Sequence, residues 1–189
     1  ALEALTPDRL ALSPSQVRIR DSLLETLWRL NDEAEERCAE LDEFGGPECL
    51  LHGDFGVRNA MVLPGAHGWT ARLIDWDHAG VGPASYDLST LLLQLPESQR
   101  VRALECYCGS RRPPAAGWPK LKTWNGLFDT AERSRFANMA IWPALWAVDG
   151  NLDSAFDNLA AIATWFAALT PVLELSASKA PLGGVHGSA

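Results

Sequence analysis

Between residues 49 and 74 the hydrophobic pattern changes period, and that change limits the chain to a helical fold interrupted once by short strands. Upstream, Ile19, Leu23, Leu27, Leu30, Ala34, Cys38 and Leu41 recur at three- and four-residue spacing, the apolar stripe of one long helix. Ser13 as N-cap, Pro14 in the first helical position and Gln16 closing a capping box start it. Phe44-Gly45-Gly46-Pro47 ends it. Three short apolar runs follow, at 49–51, 60–63 and 71–74, and the last two flank a Pro-Gly-rich turn, so they read as a β-hairpin. Residues 79–85, AGVGPAS, read as loop, and Asp87 as the N-cap or first-turn acid of the next helix. Helices are then expected over 97–108, 121–137, 138–149 and 153–168, with a kink near Pro143.

A chain of 189 residues is long enough for one sizeable core, or one domain with a helical appendage. Eight tryptophans imply broad apolar surfaces between packed helices, and Trp142, Trp146 and Trp165 are expected in the core. A net charge of −8 argues against nucleic acid or an anionic membrane as partner. No apolar run reaches the ~18 residues of a membrane span, and no basic-plus-apolar leader opens the chain, so a cytoplasmic protein is expected. Ala1 is not an initiating Met, which leaves room for the sequence to be part of a longer one. Cys38, Cys49, Cys106 and Cys108 lack metal-site spacing and read as buried or half-buried free thiols.

The stretch CLLHGDFGVRNAMVL, residues 49–63, sets Asp54 and Asn59 on a loop between apolar runs. Asp75 follows the second hairpin strand, in RLIDWDHAG. A hairpin brings the residues flanking its two strands to one open end, so Asn59 and Asp75 should meet there, with Asp54 reaching them along the loop. An amide oxygen and a carboxylate so placed can hold Mg²⁺. Asp54 beside them could accept a hydroxyl proton and aim that hydroxyl at a phosphoryl group. A carboxylate of pKa ~3.9 is a poor base at pH 7, yet phosphoryl transfer depends mainly on positioning and charge. The plainer alternatives are turn chemistry for Asp54 and Asn59 and a solvated face for Asp149, Asp153 and Asp157 rather than an acidic wall for a cationic substrate. Asp77 reads as a solvated loop acid, and Arg58 either as a phosphate contact or as an exposed loop arginine.

LLHGDFGVRNAMV followed by LIDWDHAGVGPASYDLS resembles the aminoglycoside phosphotransferase/choline kinase-type family, relatives of the protein kinases. The family's H-G-D-x-x-x-x-N corresponds to His52, Gly53, Asp54 and Asn59, its I-D-[FW] to Ile74, Asp75 and Trp76, and its G-x-x-x-x-D-L to Gly82, Asp87 and Leu88. The resemblance implies that Asp54 is catalytic, that Asn59 and Asp75 bind Mg²⁺ and the nucleotide, and that His52 and Asp87 support the catalytic loop. It implies a mainly α fold, a protein-kinase-like C-terminal lobe with a small β-hairpin carrying the catalytic loop. Residues 1–13 would then be a lead or interlobe linker, 14–170 the lobe and 171–189 a flexible tail. Lys120, Lys122 and Lys179 all lie downstream of the motif and no strand-rich stretch precedes it, so the family's N-terminal β lobe with its phosphate-anchoring Lys is expected to be absent. Gly82-Pro83-Ala84 also departs from the family's usual G-D-P.

The expected activity is an ATP- (or GTP-) and Mg²⁺-dependent transfer to a hydroxyl of a small molecule such as an aminoglycoside or amino alcohol. The isolated chain is expected to be inactive without an N-terminal lobe, and prone to self-association through the cleft near 52–59 and 75–77. The competing expectation is a non-catalytic binding or interaction domain derived from such a kinase.

Overall fold

The computed structural model describes residues 1–6, 9–46, 48–65, 68–111 and 117–175. Seven helices and four short strands follow in the order α1 (Pro14–Asp32), α2 (Ala34–Phe44), β1 (Cys49–Leu51), β2 (Ala60–Gly65), β3 (Gly68–Leu73), β4 (Gly80–Gly82), α3 (Ser85–Leu93), α4 (Glu97–Ser110), α5 (Leu121–Met139), α6 (Ile141–Val148) and α7 (Leu152–Ala168) among the described residues. The fold is mainly α with small antiparallel sheets, as expected. No helix among these residues is long and apolar enough to cross a membrane. The chain divides into two compact units, Ala1–Cys38 with Glu132–Thr170, and Ala39–Ala131 with Pro171–Ala189.

In the first unit the capping box forms as read. Ser13 Oγ accepts the Gln16 N–H and Gln16 Oε1 accepts the Ser13 N–H. The expected single helix is instead two, broken at Glu33. Asn31 and Asp32 are poor helix formers because their side chains compete for the backbone, and Glu33 turns the chain while its carboxylate pairs with Arg37 at 2.7 Å. The stripe fails beyond the break, where Ala34 and Cys38 are exposed. Leu23 of α1 instead packs with Leu2 and Leu5 of the lead, which the linker expectation had left outside the core, and with Phe156, Leu159 and Ile162 of α7. Arg20 ties that lead down by donating to the Leu5 carbonyl at 2.6 Å.

α6 reverses the expectation for tryptophan. It buries Pro143, Ala144 and Ala147, small groups that allow close approach to α7, while Trp142, Trp146 and, on α7, Trp165 remain exposed. Pro143 lies in the first turn of α6, where an N–H would have no intrahelical partner, and the interruption expected near it falls three residues earlier. The bend lies at Ala140, whose N–H is shared between the Phe136 and Ala137 carbonyls.

In the second unit the strands form two pairs. β1 pairs with β4 (Leu50 opposite Val81), and β2 with β3 (Ala60 opposite Leu73, Pro64 opposite Trp69). Gly80-Val81-Gly82, expected as loop because it carries no strand signal, pairs with β1 and forms a strand. The hairpin turn residues Ala66 and His67 lie outside the described residues. Leu88 and Leu92 of α3, Leu104 and Cys108 of α4, and Trp124, Leu127 and Phe128 of α5 form the core. Val172 and Leu173, within the stretch expected to be a tail, are buried in it, and Asn125 clamps Leu173 through both its amide atoms at 2.8 and 2.9 Å. The remainder of that expected tail, 176–189, lies outside the described residues, as does Lys179.

Phe128 is fully buried, so Phe128→Ala should cost about 3 to 5 kcal/mol, read as a lower urea midpoint. The thiols divide sharply. Cys38 and Cys106 are exposed, against expectation, Cys49 is half-buried, and burial pushes the Cys108 thiol up to about 11. Cys108 is therefore protonated at pH 8. A thiol reagent should modify Cys38 and Cys106 in the native chain and reach Cys108 only on unfolding, as peptide mapping would show.

Candidate active site

The loop between β1 and β2 is fixed at its entry by Asp87, in the first turn of α3. Its Oδ2 accepts the His52 N–H at 2.6 Å and its Oδ1 the Gly53 N–H at 2.9 Å. The positive end of the α3 dipole favours a carboxylate there. Asp87 is not the N-cap, a position held by Ala84. Gly53 has φ +82°, and a Cβ at this position would collide with the His78 carbonyl. Glycine is thus required by conformation and by space.

His52 is 1% exposed and joins the loop to the second hairpin strand. Its Nε2 lies 2.8 Å from the Ile74 carbonyl, which can only accept, so Nε2 carries the proton. Nδ1 is left without a partner among the described residues. The ring packs on Trp76, with centroids 4.7 Å apart. These contacts fix the peptide leading into Asp75, the one described non-glycine residue with positive φ, +64°.

The hairpin register brings the expected residues to one end. Ala60 faces Leu73, and the Ile74 N–H donates to the Asn59 carbonyl at 3.0 Å, so Asn59 and Asp75 flank the open end. Asn59 is buried, and its Nδ2 donates to the Asp54 carbonyl at 2.9 Å and to Asp54 Oδ2 at 3.1 Å. Arg58 Nη2 lies 3.0 and 2.9 Å from the two Asp54 carboxylate oxygens. Arg58, expected as either a phosphate contact or an exposed loop arginine, is exposed and paired with Asp54. Asp77 is exposed. Asp149, Asp153 and Asp157 are also exposed, with Asp149 outside α7, so they form no continuous helix face.

One residue that holds the loop escaped the sequence reading. Gln94, at the end of α3, accepts the Val57 N–H through Oε1 at 2.9 Å and donates to the Thr90 carbonyl at 3.2 Å. Its amide also fills the space where a Gly56 Cβ would stand. Gly56 was the available signal, a glycine marking close approach, but nothing local identified what approaches it.

Two clefts, of about 380 Å³ beside Trp118 and Lys120 and about 470 Å³ beside Trp28 and Ile141, are not lined by Asp54, Asn59 or Asp75. Within the loop Val57 and Arg58 are exposed, Asp54 is half-buried and Asn59 is buried. Among the described residues no group of three or more His, Cys, Asp or Glu gathers as a metal cluster. Asn59 commits its amide protons to Asp54 and keeps Oδ1 outside every hydrogen bond described. That oxygen and the exposed Asp75 carboxylate make a pair of hard donors, which fits Mg²⁺, an ion that completes its shell with water and phosphate oxygens.

The hydrogen bond from Arg58 is the main influence holding the Asp54 carboxyl below its ordinary value. Partial burial opposes it, while the Arg58 charge, the Asn59 amide and His78 add to it. Because the folded value is depressed, the stability this pairing contributes is present above the unfolded pKa and lost as pH falls through the folded one. Arg58→Ala should move the carboxyl midpoint up toward ~3.9, measured by ¹³C titration of the Asp54 carboxyl; an unchanged midpoint would contradict the assignment.

No curated protein matches the chain. A profile described as the phosphotransferase enzyme family, APH, matches residues 2–124, a span that includes His52, Asp54, Asn59, Asp75 and Asp87. With the motif residues gathered around one loop and that profile covering more than half of its length, the chain belongs to the phosphotransferase enzyme family.

Proposed function

We infer that the chain carries the catalytic loop of an ATP- or GTP-dependent phosphotransferase that acts on a hydroxyl of a small molecule, such as an aminoglycoside or amino alcohol. The observation that carries this reading is the hairpin register, which gathers Asn59 and Asp75 at one open end while Asn59 holds Asp54 beside them. Asp54 accepts the hydrogen bond of the acceptor hydroxyl and aims its oxygen for in-line attack. Asn59, through Oδ1, and Asp75, through its carboxylate, would hold Mg²⁺, whose charge offsets that of the nucleotide phosphates when bound. His52 and Asp87 keep the loop in shape. The proton leaves the hydroxyl late, so a carboxylate of low pKa suffices and alignment supplies most of the rate.

These residues further read as the C-terminal lobe of such an enzyme, which a nucleotide-covering lobe with its own lysine would complete. Lys120 and Lys122, the described lysines, are exposed and follow the motif in sequence. One observation favours the alternative of a non-catalytic binding domain: both Asp54 carboxylate oxygens are already engaged by Arg58.

The test is ADP (or GDP) release across a panel of hydroxyl acceptors, using the full-length polypeptide that carries these residues. Asp54→Ala should leave nucleotide binding intact and lower turnover by at least a hundredfold, since the positioning of the nucleophile is lost. Turnover near wild type in that variant would refute the role of Asp54, and an absence of release with every acceptor would favour the binding domain.

A further inference from the structure

The loop region carries two carboxylates, Asp54 and Asp75, and an exposed cation, Arg58, whose side chain is 72% accessible. Arg58 Nη2 engages both oxygens of Asp54, and Asn59 Nδ2 adds a second donor to Oδ2. The Arg58 guanidinium also lies within Coulomb reach of Asp75, with no hydrogen bond between them among those described. Asn59 therefore presents opposite ends of one amide to two functions, its protons to Asp54 and its Oδ1 to the open end. Two neighbouring carboxylates are treated differently: Asp54 holds three contacts from two donor nitrogens, and Asp75 accepts no hydrogen bond among those described.

We propose that Arg58 is a positioning residue that sorts these carboxylates: it keeps Asp54 out of the ligand set of a divalent cation and leaves Asp75 with the Asn59 amide oxygen as the cation's protein ligands. The assignment deepens the phosphotransferase reading and rests on it. A hard divalent cation gathers carboxylate oxygens wherever it can reach them. Were Asp54 undressed, it would be drawn onto the ion and lost to the acceptor hydroxyl. Displacing a guanidinium from both oxygens opposes that recruitment, and a positive charge nearby weakens the local field on the ion. An exposed ion pair contributes little to fold stability, so its effect falls on the choice of ligands. A hydroxyl group can still reach Asp54, because it brings its own donor to replace one from Arg58 and carries no charge for the guanidinium to repel.

The test titrates the 189-residue chain with Mn²⁺ alone at low ionic strength, reading affinity and the site from paramagnetic broadening of assigned NMR signals. Wild type should show broadening centred on Asn59 and Asp75, lost in Asp75→Asn. Arg58→Ala should bind about tenfold more tightly, as expected when the Asp54 carboxylate joins the ligand set, with broadening extended to Asp54 and an unfolding midpoint close to that of wild type. Adding Asp54→Asn to Arg58→Ala should return the affinity to that of wild type, and Arg58→Lys should leave it there. Affinity of Arg58→Ala within twofold of wild type, with Asp75→Asn still abolishing binding, would overturn the sorting role and leave the metal reading standing. Retention of the tenfold gain in the double variant would also overturn it, since Asp54 would not have been recruited. Absence of broadening at Asn59 and Asp75 in both wild type and Arg58→Ala would overturn the metal reading together with the proposal.

Discussion

The backbone N–H groups of His52 and Gly53, at the exit of β1, both end on the carboxylate of Asp87, thirty-odd residues further along the chain. Hydrogen bonds to a charged acceptor contribute about 1.5 to 3 kcal/mol each. This acceptor sits on a helix whose other face, Leu88 and Leu92, is packed into the core. The loop entry is thereby tied to a part of the molecule that cannot shift without opening a cavity. The later contacts assume that fixed start: Gly53 under the His78 carbonyl, Gln94 over Gly56, and Asn59 back onto Asp54. Without Asp87 the two N–H groups would be left to find other partners, and the loop could keep its sequence and lose its shape.

His52 links that fixed entry to the hairpin. Nearly all of its surface is covered, one nitrogen is bonded to the Ile74 carbonyl and its ring rests on Trp76. The left-handed backbone of Asp75 follows immediately. A side chain in that conformation is held by its neighbours rather than by its own preference, of order 1 kcal/mol. Asp is among the residues that tolerate it best. Conformational constraint is concentrated in the residues bearing the oxygen atoms of the site, while the strands that present them are short.

The meeting of Asn59 and Asp75 at one hairpin end was legible in the sequence because its logic is local and ordered. Asn59 and Asp75 flank the hairpin by register, Asp87 lies in the first turn of a helix, and the glycines allow close approach. What could not be read depended on partners distant in sequence. Nothing near Gln94 distinguishes it from a surface glutamine at a helix end, and nothing in Gly80-Val81-Gly82 announces that β1 will recruit it. The helix break at Glu33 lay within a polar run where the apolar stripe carries little information. The tryptophans failed for a different reason. Large apolar residues were assumed to make the core, but α6 packs through Pro143, Ala144 and Ala147 because small groups permit close helix contact, which directs Trp142 and Trp146 outward.

The hairpin of β2 and β3 has a consequence for ligand affinity. Most of its residues on both faces are exposed, and one face is an apolar ladder of Val62 beside Ala71 and Pro64 beside Trp69. A two-stranded ribbon with no buried face is marginal by itself in water, so its zipping is a local equilibrium, distinct from unfolding of the helical core. Asn59 and Asp75 stand at its base, where the bond from the Ile74 N–H to the Asn59 carbonyl continues the ladder beyond Ala60 and Leu73. Any ligand that needs both is therefore thermodynamically linked to that closure: its observed affinity is the intrinsic one multiplied by the closed fraction. Substitutions along the ribbon, far from any oxygen that touches the ligand, act on binding through that fraction alone.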